Sequence, residues 1–114
     1  MTTQAGGVPG IAVAEAANKL ASDDPKGPLL VDVREADELA VVRVADAIHV
    51  PTSTFTDHAE ELPKDRPLLI MCATGVRSAA VTGYLLRNGW TDVANVDGGI
   101  TAWQRAGLPV ERGR

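Results

Sequence analysis

The chain has little that would crosslink it, anchor it in a membrane or bind it to nucleic acid. Among 114 residues there is one cysteine, Cys72, and there are two histidines, His49 and His58. A single thiol closes no internal disulfide, so folding needs no oxidising compartment. One cysteine with two histidines makes no convincing zinc set, and no metal is expected. Phe and Tyr occur once each, and 11 Lys and Arg against 15 Asp and Glu leave a net charge of −4. With no basic cluster and few rings for stacking, nucleic acid is not an expected partner. No apolar run approaches the ~20 residues that span a bilayer. Residues 1–10 have neither the basic start nor the apolar core of a signal peptide. The expectation is a cytoplasmic protein with no membrane partner. Gly98-Gly99 lacks the Gly-x-Gly-x-x-Gly context after a strand, so no nucleotide or flavin cofactor is expected.

What remains is ordinary globular material, 45% hydrophobic and 23% charged, of a length suited to one core. One domain is expected over residues 10–111, between a flexible start (1–9) and a short tail (112–114), with fraying at both ends. Near-continuous apolar runs predict strands over 28–33, 67–72 and 92–96, and a shorter one over 47–50 is stopped by Pro51. Between them lie helical patterns. Val13, Ala16, Ala17 and Leu20 share one face of a helix over 13–21. Residues 55–62 form a short helix ended by Pro63. A third runs over 78–88, with Val81, Tyr84 and Leu85 on one side and Asn88-Gly89 as its stop. The last, 100–106, closes with Gly107 and Pro109. Strands alternating with helices imply an α/β domain with a mostly parallel sheet covered on both faces. Ligands of such sheets bind beyond the carboxyl ends of the strands.

Cys72 stands at such an end. The apolar strand Leu68-Leu69-Ile70-Met71 runs into it, a turn containing Gly75 and Arg77 follows, and a helical pattern comes next. Strand, turn and helix in that order cradle an anion in backbone N–H groups. A thiol placed there is favoured as thiolate, the nucleophilic form. A lone cysteine ending an apolar strand is more often inert core; the Gly and Arg that follow favour the functional reading.

Four segments together resemble a single-domain rhodanese, of the sulfurtransferase family, over residues 10–111. They are Asp32-Val33-Arg34-Glu35; the loop Cys72-Ala73-Thr74-Gly75-Val76-Arg77-Ser78; Asp97-Gly98-Gly99-Ile100-Thr101-Ala102-Trp103; and Gly107-Leu108-Pro109. The resemblance implies a rhodanese-like fold with a five-stranded, mostly parallel sheet. It implies transfer of sulfane sulfur from thiosulfate or a low-molecular-weight persulfide to a thiol or cyanide, through a Cys72 persulfide in ping-pong order. A protein-dependent sulfur carrier, partnered by a sulfur-trafficking protein, is the alternative. Cysteine phosphatases on this fold carry one more residue between Cys and Arg, so the four residues 73–76 disfavour phosphate or arsenate chemistry. In this reading the amides of 73–77 and the N-terminus of the following helix hold the sulfur's charge, and Gly75 lets the backbone turn inward. Arg77 either binds a donor oxyanion or raises the potential at Cys72. Ser78 either donates a hydrogen bond or caps the helix.

Asp32, Arg34 and Glu35 read as an ion-pair network that supports the loop, and Gly98 and Gly99 as a wall beside it. Trp103 reads as packing, and neither histidine receives a role. Three departures from the family pattern stand out. Where the family has Gly-His-Ile-Pro-Gly-Ala, this chain has Val42-Arg43-Val44-Ala45-Asp46-Ala47, which predicts a differently shaped connection. Ala12 replaces a capping Ser or Thr, an omission that costs about 1 kcal/mol. Ala73 replaces a second basic residue, which predicts weak use of the thiosulfate dianion.

Overall fold

Residues apolar on both sides of a strand belong at the centre of a sheet, and the structure puts Leu68–Met71 there. It is a computed structural model that describes residues 3–5 and 7–113. In chain order the elements are β1 (Thr3–Ala5), β2 (Val8–Ile11), α1 (Val13–Leu20), β3 (Leu29–Asp32), α2 (Ala36–Val41), β4 (Val42–Arg43) and β5 (Ile48–His49). There follow a 3-10 turn (Thr52–Thr54), α3 (Phe55–His58) with a 3-10 extension (Ala59–Glu61), β6 (Leu68–Met71), α4 (Val76–Arg87), β7 (Val93–Val96), α5 (Gly99–Arg105) and β8 (Glu111–Arg112).

The main sheet has the order β1-β2-β7-β6-β3-β5. Its last five strands are parallel to one another, which is the five-stranded sheet expected. The strand that periodicity left unmarked is β2, and β1 adds an antiparallel edge. After β3 the chain moves outward to β5, and after β6 it moves the other way to β7. The crevice between the carboxyl ends of β3 and β6 is therefore where the winding reverses, the place such sheets bind ligands.

The two-residue period of β6 divides the core. Leu68, Ile70 and Cys72 pack with Phe55, Val81 and Leu85 under α3 and α4. Leu69 and Met71 face the other way, onto Ala16, Ile100 and Trp103 of α1 and α5. Each large side chain buried in this way contributes about 1.5–3 kcal/mol. Cys72 thus continues the row of side chains that α4 covers, which delivers its sulfur to the first turn of that helix.

Several expectations need correction. The start expected to be flexible contains β1 and the first half of β2; Met1, Thr2 and Gly6 lie outside the described residues. The expected tail also pairs: Val42 and Arg43 of β4 take Arg112 and Glu111 as partners, and the Arg43 guanidinium donates to the Gly113 carbonyl at 2.6 Å. Arg114 lies outside the described residues. The third helix begins at Val76, two residues early, because Gly75 takes the left-handed φ of 100° that starts it. Helix α2 was not foreseen. It starts with a reciprocal capping box, Glu38 accepting the Glu35 N–H at 3.0 Å. In the connection that lacks the family's glycines, Asp46 takes φ 67°, a left-handed turn that Asp tolerates better than most residues. Ala12 makes no side-chain cap, as expected.

Candidate active site

The sulfur of Cys72 lies beneath the turn that joins β6 to α4, and the residue is 1% exposed. It accepts the Gly75 N–H at 3.1 Å and the Ser78 N–H at 3.4 Å, and the Ser78 hydroxyl lies 3.2 Å away. Gly75 belongs to the turn and Ser78 to the first turn of α4. Ser78 does not cap the helix, whose N-cap is Gly75. Burial raises the Cys72 pKa. The Ser78 hydroxyl, the Ser78 and Gly75 amides and the Thr74 amide together outweigh it, and the thiol titrates below its ordinary 9.0.

The Ser78 hydroxyl has one proton and two partners. Its oxygen also lies 2.5 Å from Oδ1 of Asn95, whose Nδ2 donates to the Gly75 carbonyl at 3.2 Å. Asn95 and Ser78 are both buried. That one proton can go to the Cys72 sulfur or to Asn95 Oδ1, one at a time. Asn95 escaped the reading of the sequence. Its signal was one polar residue in the apolar run Val93–Val96.

Gly98 and Gly99 form the wall, and backbone approach explains both the residue type and the position. A Cβ on Gly99 would come within 2.4 Å of the Cys72 carbonyl and 2.6 Å of that of Ala73. Those carbonyls accept the N–H groups of Ile100 at 2.9 Å and Thr101 at 3.1 Å, so the first turn of α5 clamps the loop from behind. A Cβ on Gly75 would lie 3.2 Å from the Gly98 nitrogen.

Across the mouth, Arg77 meets a partner that the sequence did not suggest. Its Nη1 and Nη2 donate to Oε1 and Oε2 of Glu38 at 2.7 and 2.9 Å. That two-pronged bond from Arg77 pulls the Glu38 pKa down to about 2. Glu38, together with the Cys72 sulfur, holds Arg77 firmly protonated. Glu38 sits three residues after Glu35, the spacing of a capping box, and that spacing was the available signal.

Asp32 and Arg34 stand behind this rim. Arg34 Nη2 donates to Asp32 Oδ2 and to the Val42 carbonyl, both at 2.8 Å, and Nη1 reaches the Glu38 carbonyl at 3.4 Å. Both residues are buried, so the pair ties the end of β3 to α2 and β4 and faces no open site. Glu35 accepts from the Thr52 and Ser53 hydroxyls at 3.1 and 2.7 Å. His49 Nε2 donates to the Arg34 carbonyl at 2.7 Å, and His58 pairs with Glu61 at 3.0 Å. Trp103 is packed in the core and donates to the Pro109 carbonyl at 2.9 Å. Ala73 leaves the loop with one cation, Arg77. Val76, 75% exposed, projects from the rim. Among the described residues no group of three His, Cys, Asp or Glu side chains could hold a metal ion, and no helix is long and apolar enough to cross a membrane.

Known proteins resemble this chain in sequence and in fold. A family model described as a rhodanese-like domain matches residues 12–106. A sulfurtransferase of Allochromatium vinosum is 40% identical over 87 residues, 76% of this chain and 81% of that protein. The thiosulfate sulfurtransferase GlpE of Vibrio cholerae is 35% identical over 82 residues, 72% of this chain and 77% of its own. A rhodanese-related protein of Thermoplasma volcanium has a TM-score of 0.81 at 30% identity, covering 90% of this chain and 96% of its own.

Proposed function

The chain belongs to the rhodanese-like family, and from that premise we propose that it transfers sulfane sulfur through a persulfide on Cys72. One observation carries the reading: the sulfur accepts two N–H groups at the start of α4 and has a hydroxyl turned toward it. These donors stabilise a negative charge on sulfur wherever it arises. In the first half-reaction the Cys72 thiolate attacks the outer sulfur of the donor. The S–S bond of the donor breaks, its electron pair leaves as sulfite or as a thiolate, and Cys72 becomes a persulfide. In the second, cyanide or a thiol attacks the outer sulfur, the new S–S bond breaks, and the pair returns to Cys72. No net electron enters or leaves. The order is ping-pong.

A persulfide donor suits this loop better than thiosulfate. Ala73 supplies no second cation, and the charge of Arg77 is already matched by Glu38. An acceptor carried by a sulfur-trafficking protein is the second reading, favoured by Val76, an apolar side chain 75% exposed in the loop 72–78. The test weighs the intact reduced protein after exposure to thiosulfate and, separately, to glutathione persulfide. Gain of one sulfur, absent in Cys72→Ser and released by cyanide or a thiol, is the expected result. Loading that is discharged only by a protein acceptor would favour the carrier. No gain from either donor would overturn the persulfide.

A further inference from the structure

Resting on that sulfur-transfer reading, we propose that Glu38 is a specificity-determining positioning residue, one that holds the Arg77 guanidinium at the mouth and cancels its charge toward dianionic donors. Arg77 is the one cation that the loop 72–78 contains, and its side chain is about a third exposed, at the rim. Both of its terminal nitrogens are taken by Glu38 in the fork geometry that a donor's sulfonate would otherwise use. A thiosulfate dianion must then displace a carboxylate that is already in place, or approach a pair whose net charge is zero.

Glu38 is not free to swing aside. Its Oε1 also accepts the Glu35 N–H at 3.0 Å, and its carbonyl accepts from Arg34. Glu35 in turn is held by Thr52, Ser53 and the Ser53 amide at 3.1 Å. The carboxylate is fixed from α2 and from the 3-10 turn at once. The reacting end of a persulfide carries at most one negative charge and needs only the amides and hydroxyl around Cys72. The same fixed Glu38 therefore disfavours thiosulfate and leaves a persulfide's route open.

Sulfur transfer by the full chain is measured for wild type and Glu38→Gln, with thiosulfate and with glutathione persulfide as donors and one common acceptor. Gln keeps the bond to the Glu35 N–H and removes the charge. The expected result is a rise of about tenfold in the ratio of kcat/KM for thiosulfate to that for persulfide, about 1.4 kcal/mol. It should appear mainly in the KM for thiosulfate and shrink at high salt. Glu38→Gln/Arg77→Gln should lose the gain, because the gain runs through Arg77. An unchanged or reduced ratio in Glu38→Gln overturns the inference. If that variant does not fold, Arg77→Gln alone decides. Arg77→Gln leaves the Glu38 charge unpaired at the mouth, so the ratio should fall and the fall should shrink at high salt; an unchanged or raised ratio overturns the inference. Wild-type Cys72 taking sulfur from neither donor would overturn the transfer reading and this inference together. Sulfur loading with the wrong ratio sinks the inference alone.

Discussion

Replacing Ser78 with alanine isolates the most informative hydrogen bond in the site. The Ser78 oxygen lies 3.2 Å from the Cys72 sulfur and 2.5 Å from Asn95 Oδ1, and one proton serves both. With the thiolate it makes a hydrogen bond to a charged group, about 1.5–3 kcal/mol. With the thiol it makes a neutral bond to Asn95, about 1 kcal/mol. The difference, about 0.5–2 kcal/mol, corresponds to roughly one pKa unit. Ser78→Ala should therefore raise the Cys72 pKa by about one unit while both amide donors remain.

The assay is the rate of alkylation of native protein by iodoacetamide across pH, whose midpoint reports the thiolate. The sign carries over to stability. A thiol whose folded-state pKa lies below 9.0 stabilises the fold above that value, and the contribution is lost as pH falls through the folded-state pKa. In Ser78→Ala that window narrows. While Cys72 is a thiol, the variant also leaves a buried Asn95 oxygen without its donor, which costs about 1–3 kcal/mol. A midpoint that does not move would refute the reasoning, since the hydroxyl would then never have turned to the sulfur.

Asn95→Ala should move the alkylation midpoint the other way, to lower pH, because the Ser78 proton then has the sulfur as its main acceptor. Gly99→Ala should destabilise the fold by at least about 1–3 kcal/mol in urea unfolding. Its Cβ would press on the Cys72 and Ala73 carbonyls, so sulfur loading should slow as well; an alanine variant of wild-type stability would contradict this geometry. Arg34→Met should cost about 3–5 kcal/mol, since it leaves Asp32 buried without its cation. A loss below about 1 kcal/mol in urea unfolding would argue against an ion-pair origin.

Much of the α/β frame was legible because it rests on local periodicity. The β6 run is apolar on both faces, α4 shows a single apolar side, and the turn between them carries its own Gly and Arg. The elements that escaped are those whose stabilising partners are distant. Val8–Ile11 is four residues long and becomes a strand by pairing with β7, more than eighty residues later. Val42–Arg43 and Glu111–Arg112 are two residues each, and neither has a pattern until it meets the other. Helix α2 buries none of its residues, so hydrophobic periodicity had nothing to mark there.

The sequence by itself determined the family and pointed to Cys72 and the turn that cradles it, because residues 72–78 are contiguous and a turn into a helix aims its own amides. Tertiary structure decided what stands around that cradle. The Glu38 carboxylate and the Arg77 guanidinium are 39 residues apart, and Ser78 and Asn95 are 17 apart. The order of strands in the sheet brings each pair together. A charged side chain in a sequence has many possible partners. Its neighbour is chosen only when β3 and β6 lie side by side and their outgoing chains meet over the crevice.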